Sequence, residues 1–508
     1  MAEHKGECHN FGLCNTADRK VGITVTKGEF VCPECGQPLH FADSRRGRGF
    51  WRIASVVLAF GAIAAAAHWI IPASGVRRSV QAAMDQGNVI LTLSGANRIG
   101  SALAPALAEE FLKQRGAQDV KTVPGAKEAE VRVQGLLPGQ LSPKIIEIRS
   151  HGSNSAFEDL GNGAADIGMA SRSIKSKEVV NLAKFGLGDM TSVGAEHIVG
   201  LDGIAVIVNR KNPVEEVSKK NLSLVFTGEI RDWAQLGGLP GAINIYVRDE
   251  SSGTYDTFKS LVLGDQPLVE SAHRLSDNRA LSDDVAKDPN GIGVVSLENV
   301  RGAKALAIAE KGARPLLPNQ LNVATEDYPL TRRLTLYTPV NPRNELTRQF
   351  VAFALSTRGQ RIVERLGFVS QNVSAASVSI PAGAPEQYRK LTSGADRLTL
   401  DFRFRSGTSE LDAKAAADLD RVVTFLSDLH YSGNNILLFG FADNTGTKEV
   451  NDVLSKKRAD AVAQEFDQRG IKPAVVTGFG SQLPVGSNDS AEGREKNRRV
   501  EIWLKKQA

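Results

Sequence analysis

Cysteine is nearly missing from this sequence: the four that occur all lie within the first 35 of 508 residues. The long remainder cannot be stapled by disulfides and must fold on hydrophobic burial. Histidine is scarce as well, and the eight present form no HExxH pair. No nucleophile elbow surrounds a serine, and no glycine-rich loop ends in the lysine of a phosphate loop. These absences point away from an enzyme and toward a binding protein. Neither sign of charge dominates, since 62 Lys and Arg stand against 57 Asp and Glu. The two signs are interleaved, so no basic stripe invites a nucleic acid. The length exceeds what one core supports and suggests about three units.

One stretch lacks charge altogether. IASVVLAFGAIAAAAHWII, residues 53–71, is as long as a bilayer core requires. Some fifty polar residues precede it, which a signal peptide would not have. We therefore expect a single transmembrane helix over 51–72, with a buried core helix as the alternative reading. Arg45, Arg46, Arg48 and Arg52 crowd its N-terminal flank, against Arg77 and Arg78 on the other. That bias places the N-terminus in the cytoplasm and makes the chain a single-pass membrane protein with a large outer portion. Trp51 and Trp69 fall where interfacial aromatics are expected. The absence of a carboxylate inside the segment argues against a proton-driven stator.

Residues 1–45 hold the cysteines. Cys8 and Cys14 form a loose pair, and Cys32-Pro33-Glu34-Cys35-Gly36 a compact one, joined by the strand-like GITVTKGEFV. Four thiolates on two such turns suit a closed, tetrahedral, structural zinc site in a small ribbon. His9 could compete with Cys8, and a redox CxxC is the rival reading, although no βαβ pattern surrounds it.

From about residue 88, apolar strand-like runs alternate with helical ones, as in an α/β domain with ligand groups at strand ends and helix N-termini. Three turns stand out: SGAN at 94–97, HGSNS at 151–155 and VRDESSGTYDTF at 247–258. Each can offer backbone N–H groups and a helix dipole to an anion, and the third adds a guanidinium fork and hydroxyls. Taken singly, each is also an ordinary capped helix start.

Together with LSLVFTGEIRDWAQLGG, NGIGVVSLENV and FVAFALSTRGQRIVERLGFV, these segments resemble the periplasmic phosphate receptors of ABC importers. The resemblance spans about 88–378 and implies a two-lobed, hinged domain that closes over phosphate or a related oxyanion. Carried over by position, it implies a site made of Ala96 and Asn97, Ser153, and Arg248, Glu250, Ser252, Gly253 and Thr254. Two positions depart from the family. Arg98 stands where threonine is usual, and Arg172 follows GMAS where the family has an aspartate. A carboxylate acceptor lets a site prefer protonated phosphate over sulfate, so the departures bear on selectivity.

Residues 379–395, rich in Pro, Gly and Ala, read as a linker. Over 396–508, LTLDFRF alternates as a strand, SELDAKAAADLDRVVTFLSDL has helical apolar spacing, and ILLFGF, VNDVLSKKRADAVAQEF, AVVTGFG and RRVEIWL complete a small α/β sandwich. GFADNTGTKEVNDVLSKKRADAV and NRRVEIWL resemble OmpA-like peptidoglycan-binding domains. The resemblance implies that Asp443 and Arg458 hold the ammonium and carboxylate of diaminopimelate, with Asn451 and Arg498 as buttresses. Phe441 and Ala442 replace the family's common His-Thr.

The expected fold class is thus multidomain α/β: zinc ribbon, one transmembrane helix, a two-lobed receptor domain and an OmpA-like domain. The expected function is a membrane-anchored oxyanion receptor tied to peptidoglycan, sensing or capturing its ligand beside an ABC permease or a membrane signalling partner. A structural membrane-to-wall tether with a ligand-free receptor domain is the alternative.

Overall fold

The computed structural model describes residues 88–250, 252–381, 383–404 and 410–506, with 4–7, 22–25, 40–41 and Cys32 nearer the N-terminus. The chain divides into two units, 1–83 and 84–508. In the first unit, β1 (His4–Glu7) pairs antiparallel with both β2 (Gly22–Val25) and β3 (His40–Phe41). The expected membrane span, 51–72, lies outside the described residues. Among the described residues no helix is long and apolar enough to cross a membrane.

The larger unit is built on one eleven-stranded sheet that runs through both lobes of the receptor-like domain. Its strands are β4 (Val89–Gly95), β5 (Gln118–Pro124), β6 (Glu130–Leu136), β7 (Lys144–Arg149), β8 (Ile167–Ala170) and the long β9 (Glu196–Val208). After the short β10 (Glu216–Ser218), which pairs elsewhere, come β11 (Asn244–Arg248), β12 (His273–Leu275), β13 (Gly291–Ser296) and β14 (Lys304–Ala305). Beyond β15 (Ala307–Ala309), the partner of β10, the last sheet member is β16 (Thr331–Tyr337).

Strands β9 and β16 make the hinge. The first part of β9 pairs with β16 over Glu196–Gly203, and its end pairs with β13 over Ile204–Val208. One strand is therefore shared by two cores. The first lobe packs Leu91, Leu93, Ile99, Leu107, Phe111 and Phe350 together, and the second packs Val206, Val225, Phe226, Trp233, Phe258 and Ile292. At about 1.5–3 kcal/mol for each fully buried large apolar side chain, each lobe has its own sufficient core.

Three helices matter for the site. Helix α1 (Ala104–Gln114), entered through a π-turn at Ile99–Leu103, buries Leu107, Ala108, Phe111 and Leu112 at helical spacing. Helix α2 (Ser153–Gly161) starts after Gly152, whose φ of 94° favours glycine. Helix α3 (Gly253–Phe258) is capped by Ser252, whose Oγ accepts from the Thr254 N–H.

Within 379–395, the stretch expected as a linker, residues Glu386–Thr392 form a helix, α4. Tyr388 explains why. Its ring is buried among Phe439, Phe441, Phe479 and Trp503, meeting Trp503 edge-on at 5.8 Å, and its hydroxyl donates to Glu501 at 2.7 Å.

The C-terminal sheet runs β17 (Ala375–Ala376), β18 (Ala395–Arg403), β21 (Arg499–Lys505), β19 (Ile436–Gly440), β20 (Val475–Gly478) in space. Helices α5 (Ala413–Asp428) and α6 (Lys448–Gln468) cover one face, against Leu398, Leu400, Phe402, Val500 and Ile502. Strand alternation sends Arg397, Asp401, Arg403, Arg499 and Glu501 to the other face, where all five are buried. That face docks on the receptor-like domain. Arg397 donates to Asp327 at 3.0 Å, Arg403 to the Thr325 carbonyl at 2.7 Å, and Lys496 to the Tyr328 carbonyl at 3.3 Å. Arg333 on hinge strand β16 bridges Glu326 at 2.7 Å and Asp412 at 2.8 Å. Burial opposes the charges of Glu326 and Asp327, yet the surrounding guanidiniums hold both carboxyls well below their usual range.

Candidate functional site

The cleft between the lobes is centred on a buried carboxylate. Asp202 sits near the middle of β9, only 1% exposed, and takes Arg98 through two bonds of 2.9 and 3.0 Å. Thr257 of α3 donates to the same carboxylate at 2.8 Å, and Arg332 of β16 approaches it at 3.4 Å. Burial disfavours the Asp202 charge, but Arg98 and Arg332 beside it hold its pKa below the ordinary carboxylate value. Arg98 also lies over the Phe368 ring at 4.4 Å, which fixes the plane of its guanidinium.

Arg332 joins the two helix N-termini. Its Nη1 donates to Ser171 at 3.2 Å and to Asp256 at 3.1 Å, and its Nη2 points to the Gly253 carbonyl at 3.4 Å. The Ser171 amide in turn donates to Ser153 Oγ at 3.1 Å, at the start of α2. Gly253 is held close from the opposite lobe: a Cβ there would come within 2.6 Å of Arg98 Cδ. The turns at 152–153 and 252–254 therefore meet in one cleft, with two guanidiniums and two carboxylates between them.

The other expected positions are placed as follows. The Ala96 amide donates to the Met169 carbonyl at 2.7 Å, and Asn97 is exposed. Thr254 is buried beneath the Ser252 cap. Arg248 donates to the Leu275 and Ser276 carbonyls at 3.1 and 2.8 Å, so its guanidinium is engaged in holding the neighbouring strand end. Glu250 is 80% exposed and pairs with Arg274 at 3.1 Å rather than with Arg248. Arg172 pairs with Glu178 at 2.6 Å and donates to Asn154 at 2.7 Å, beside the start of α2.

Sequence reasoning missed Asp202, Arg332, Ser171 and Thr257. One signal was available: Asp202 is the lone charge inside IVGLDGIAVIV, a run otherwise apolar enough to be wholly buried.

A second cluster lies in the C-terminal domain. Asp443 is 12% exposed in its side chain, pairs with Arg498 at 2.8 Å and accepts from the Thr445 amide at 2.8 Å. Burial opposes its charge, but these bonds lower its pKa. Arg458 is buried, donates to the Phe441 carbonyl at 3.3 Å, and is disfavoured first by burial and then by the Arg498 charge. Arg458 Nε, Arg498 Nε and Asn451 Oδ1 are buried without a hydrogen-bond partner.

Cys32 is buried. Cys8, Cys14 and Cys35 lie outside the described residues, and among the described residues no cluster of His, Cys, Asp and Glu could hold a metal.

A continuous sheet, a strand shared by both cores and a cleft lined from both sides define a hinged, two-lobed binding domain. The chain belongs to the PBP superfamily, whose domain model matches residues 82–358, and residues 403–498 match the OmpA family model. It is 28% identical over 236 residues to Protein SphX of Synechococcus elongatus, covering 44% of this chain and 68% of that protein. It is 27% identical over 261 residues to the phosphate-binding protein PstS of Pseudomonas aeruginosa, covering 47% of this chain and 79% of that one. Its C-terminal part is 32% identical over 114 residues to outer membrane porin F of Pseudomonas fluorescens, covering 22% of this chain and 34% of the porin.

Proposed function

We propose that the protein is an envelope receptor that binds phosphate or a related oxyanion in the receptor-like cleft and holds peptidoglycan with its C-terminal domain. The observation that carries the first half is the meeting of the Ser153 and Ser252–Thr254 turns across Arg98 and Arg332. Helix N-termini and guanidiniums are what a tetrahedral oxyanion requires. Likeness to a protein named for phosphate binding supports the same ligand class. In this reading Arg98, Arg332 and Ser171 join Ser153, Ser252, Gly253 and Thr254 around the anion, and Arg248 steadies the loop that carries Ser252. Glu250 faces solvent, so Asp256 is the carboxylate nearest the α3 turn that could accept a ligand proton.

The second half rests on Asp443 and Arg458, with the unsatisfied Arg458 Nε, Arg498 Nε and Asn451 Oδ1. Buried polar atoms are ordinarily bonded, and a zwitterionic diaminopimelate end would supply both missing signs. The segment 51–72 would anchor the chain in the inner membrane, with the N-terminus cytoplasmic. The thiols of Cys8, Cys14, Cys32 and Cys35 would hold a structural zinc, because four soft donors with no open position suit that role. Sensing or local capture through a membrane partner fits a chain fixed at both ends better than bulk import.

One observation favours the tether reading: Asp202 already compensates both cleft arginines. Calorimetry with phosphate and sulfate separates the two. Binding that Arg332→Ala weakens by well over tenfold, about 2–5 kcal/mol for a charge-assisted contact, supports the receptor. No heat with either anion would make the protein a tether.

A further inference from the structure

A cavity of about 490 Å³ lies where the second lobe meets the C-terminal domain, lined by none of the residues of either cluster described above. Its wall includes Arg314, Leu316, Ile380, Tyr388, Arg397 and Trp503. Two features of that wall are unusual. Arg397, 3% exposed in its side chain, leaves its Nε without a partner, and Arg314 Nε is likewise buried and unpartnered. The ion pairs there are shared unevenly as well. Arg397 and Arg499 hold Asp327, Asp401 and Glu501 in ion pairs of 3.0, 2.8 and 2.7 Å, whereas Arg314 feels Asp327 and Glu501 only at longer range. Arg314 has no hydrogen-bonded carboxylate, and burial works against its charge. An uncompensated charge in such surroundings is costly.

We propose that this cavity is a binding site for a small organic monocarboxylate. One negative charge would give Arg314 the close counter-charge it lacks. A guanidinium fork matches a planar carboxylate. Leu316, Ile380 and Trp503 offer the apolar surface that inorganic anions cannot use. The volume accommodates a ligand between an amino acid and a short peptide in size. The ligand could be a free acid or the C-terminal carboxylate of a peptide. In either case it would lie against both domains and strengthen their docking.

The test is the thermal stability of the full chain, in detergent, with 10 mM propionate, N-acetylalanine, N-acetyl-trialanine or the matching amides, against equal chloride. The acids raise Tm by about 5 °C at a large excess over Kd, and the amides do not. Arg314→Gln abolishes the rise, read against that variant's own ligand-free Tm. Arg314→Lys retains only part of the response. A rise with the tripeptide alone assigns a peptide terminus, and a rise with propionate and N-acetylalanine assigns a free acid. Equal effects of acids and amides, an acid response that persists in Arg314→Gln, or no shift with any compound would each overturn the site.

Discussion

Replacing Asp202 by asparagine isolates what the buried carboxylate does. The change preserves shape and removes one charge from a side chain bonded to Arg98, Arg332 and Thr257. Two guanidiniums, 15% and 5% exposed, then lose their shared counter-charge. Breaking a buried pair in this way costs about 3–5 kcal/mol, or a Tm roughly 6–15 °C lower for a domain of this size. The effect on the ligand has the opposite sign. At an effective dielectric near 20 and a separation of about 6 Å, one fewer negative charge favours a monoanion by roughly 3 kcal/mol and a dianion by more. Looser positioning of Arg98 and Arg332 should return about 1–2 kcal/mol of that. Charge wins, so phosphate should bind Asp202→Asn about tenfold or more tightly than native protein, and its Tm should rise further on saturation. Scanning calorimetry with and without phosphate, paired with titration calorimetry, reads both quantities. A variant as stable as native, or one that binds phosphate more weakly, would refute the view that Asp202 competes with the ligand for these arginines.

Three further outcomes are expected. Asp443→Ala and Arg458→Ala should each abolish co-sedimentation of the protein with diaminopimelate-containing peptidoglycan, and the double variant should be scarcely worse than either single one. Burial holds His197, on hinge strand β9, down at about 4, below the unfolded value near 6.5. The stability it lends is therefore present above pH 6.5 and lost as pH falls through 4; His197→Gln should flatten the pH dependence of the unfolding free energy over that window by about 3 kcal/mol. Asp327→Asn should raise hydrogen exchange in β18 and at residues 314–328 together, because it strips a counter-charge from Arg397 and Arg403; unchanged exchange would mean the docking does not depend on it.

The sequence shows its local rules plainly and its long-range partnerships hardly at all. Leu419, Val422 and Leu426 announce α5 by spacing, and Ser252-Gly253 announces a helix start, because both are decided within one or two turns. Nothing local ties Arg98 to a carboxylate 104 residues away. The alternation of Arg397, Asp401 and Arg403 with Leu398, Leu400 and Phe402 reads as an exposed face. It is instead buried against the receptor-like domain, whose Asp327 takes both Arg397 and Arg403. Residues 386–392 looked like a spacer because proline and glycine precede them, and only the aromatic pocket around Tyr388 makes them a helix.

Adjacent residues of strand β16 point to opposite sides, and here they are both arginines. Arg332 reaches into the cleft while Arg333 grips Glu326 and Asp412 behind it. The docking bonds described above fall on residues 325–333, the second lobe and the hinge, whereas the chain comes in from residue 88 through β4 in the first lobe. The first lobe is thus the arm and the C-terminal domain the fixed mount. Any closing motion changes the span between residue 88 and that mount, so pulling on the two ends works against, or with, whatever occupies the cleft. Were both ends held and the cleft filled, occupancy and tension would become two readings of one lever.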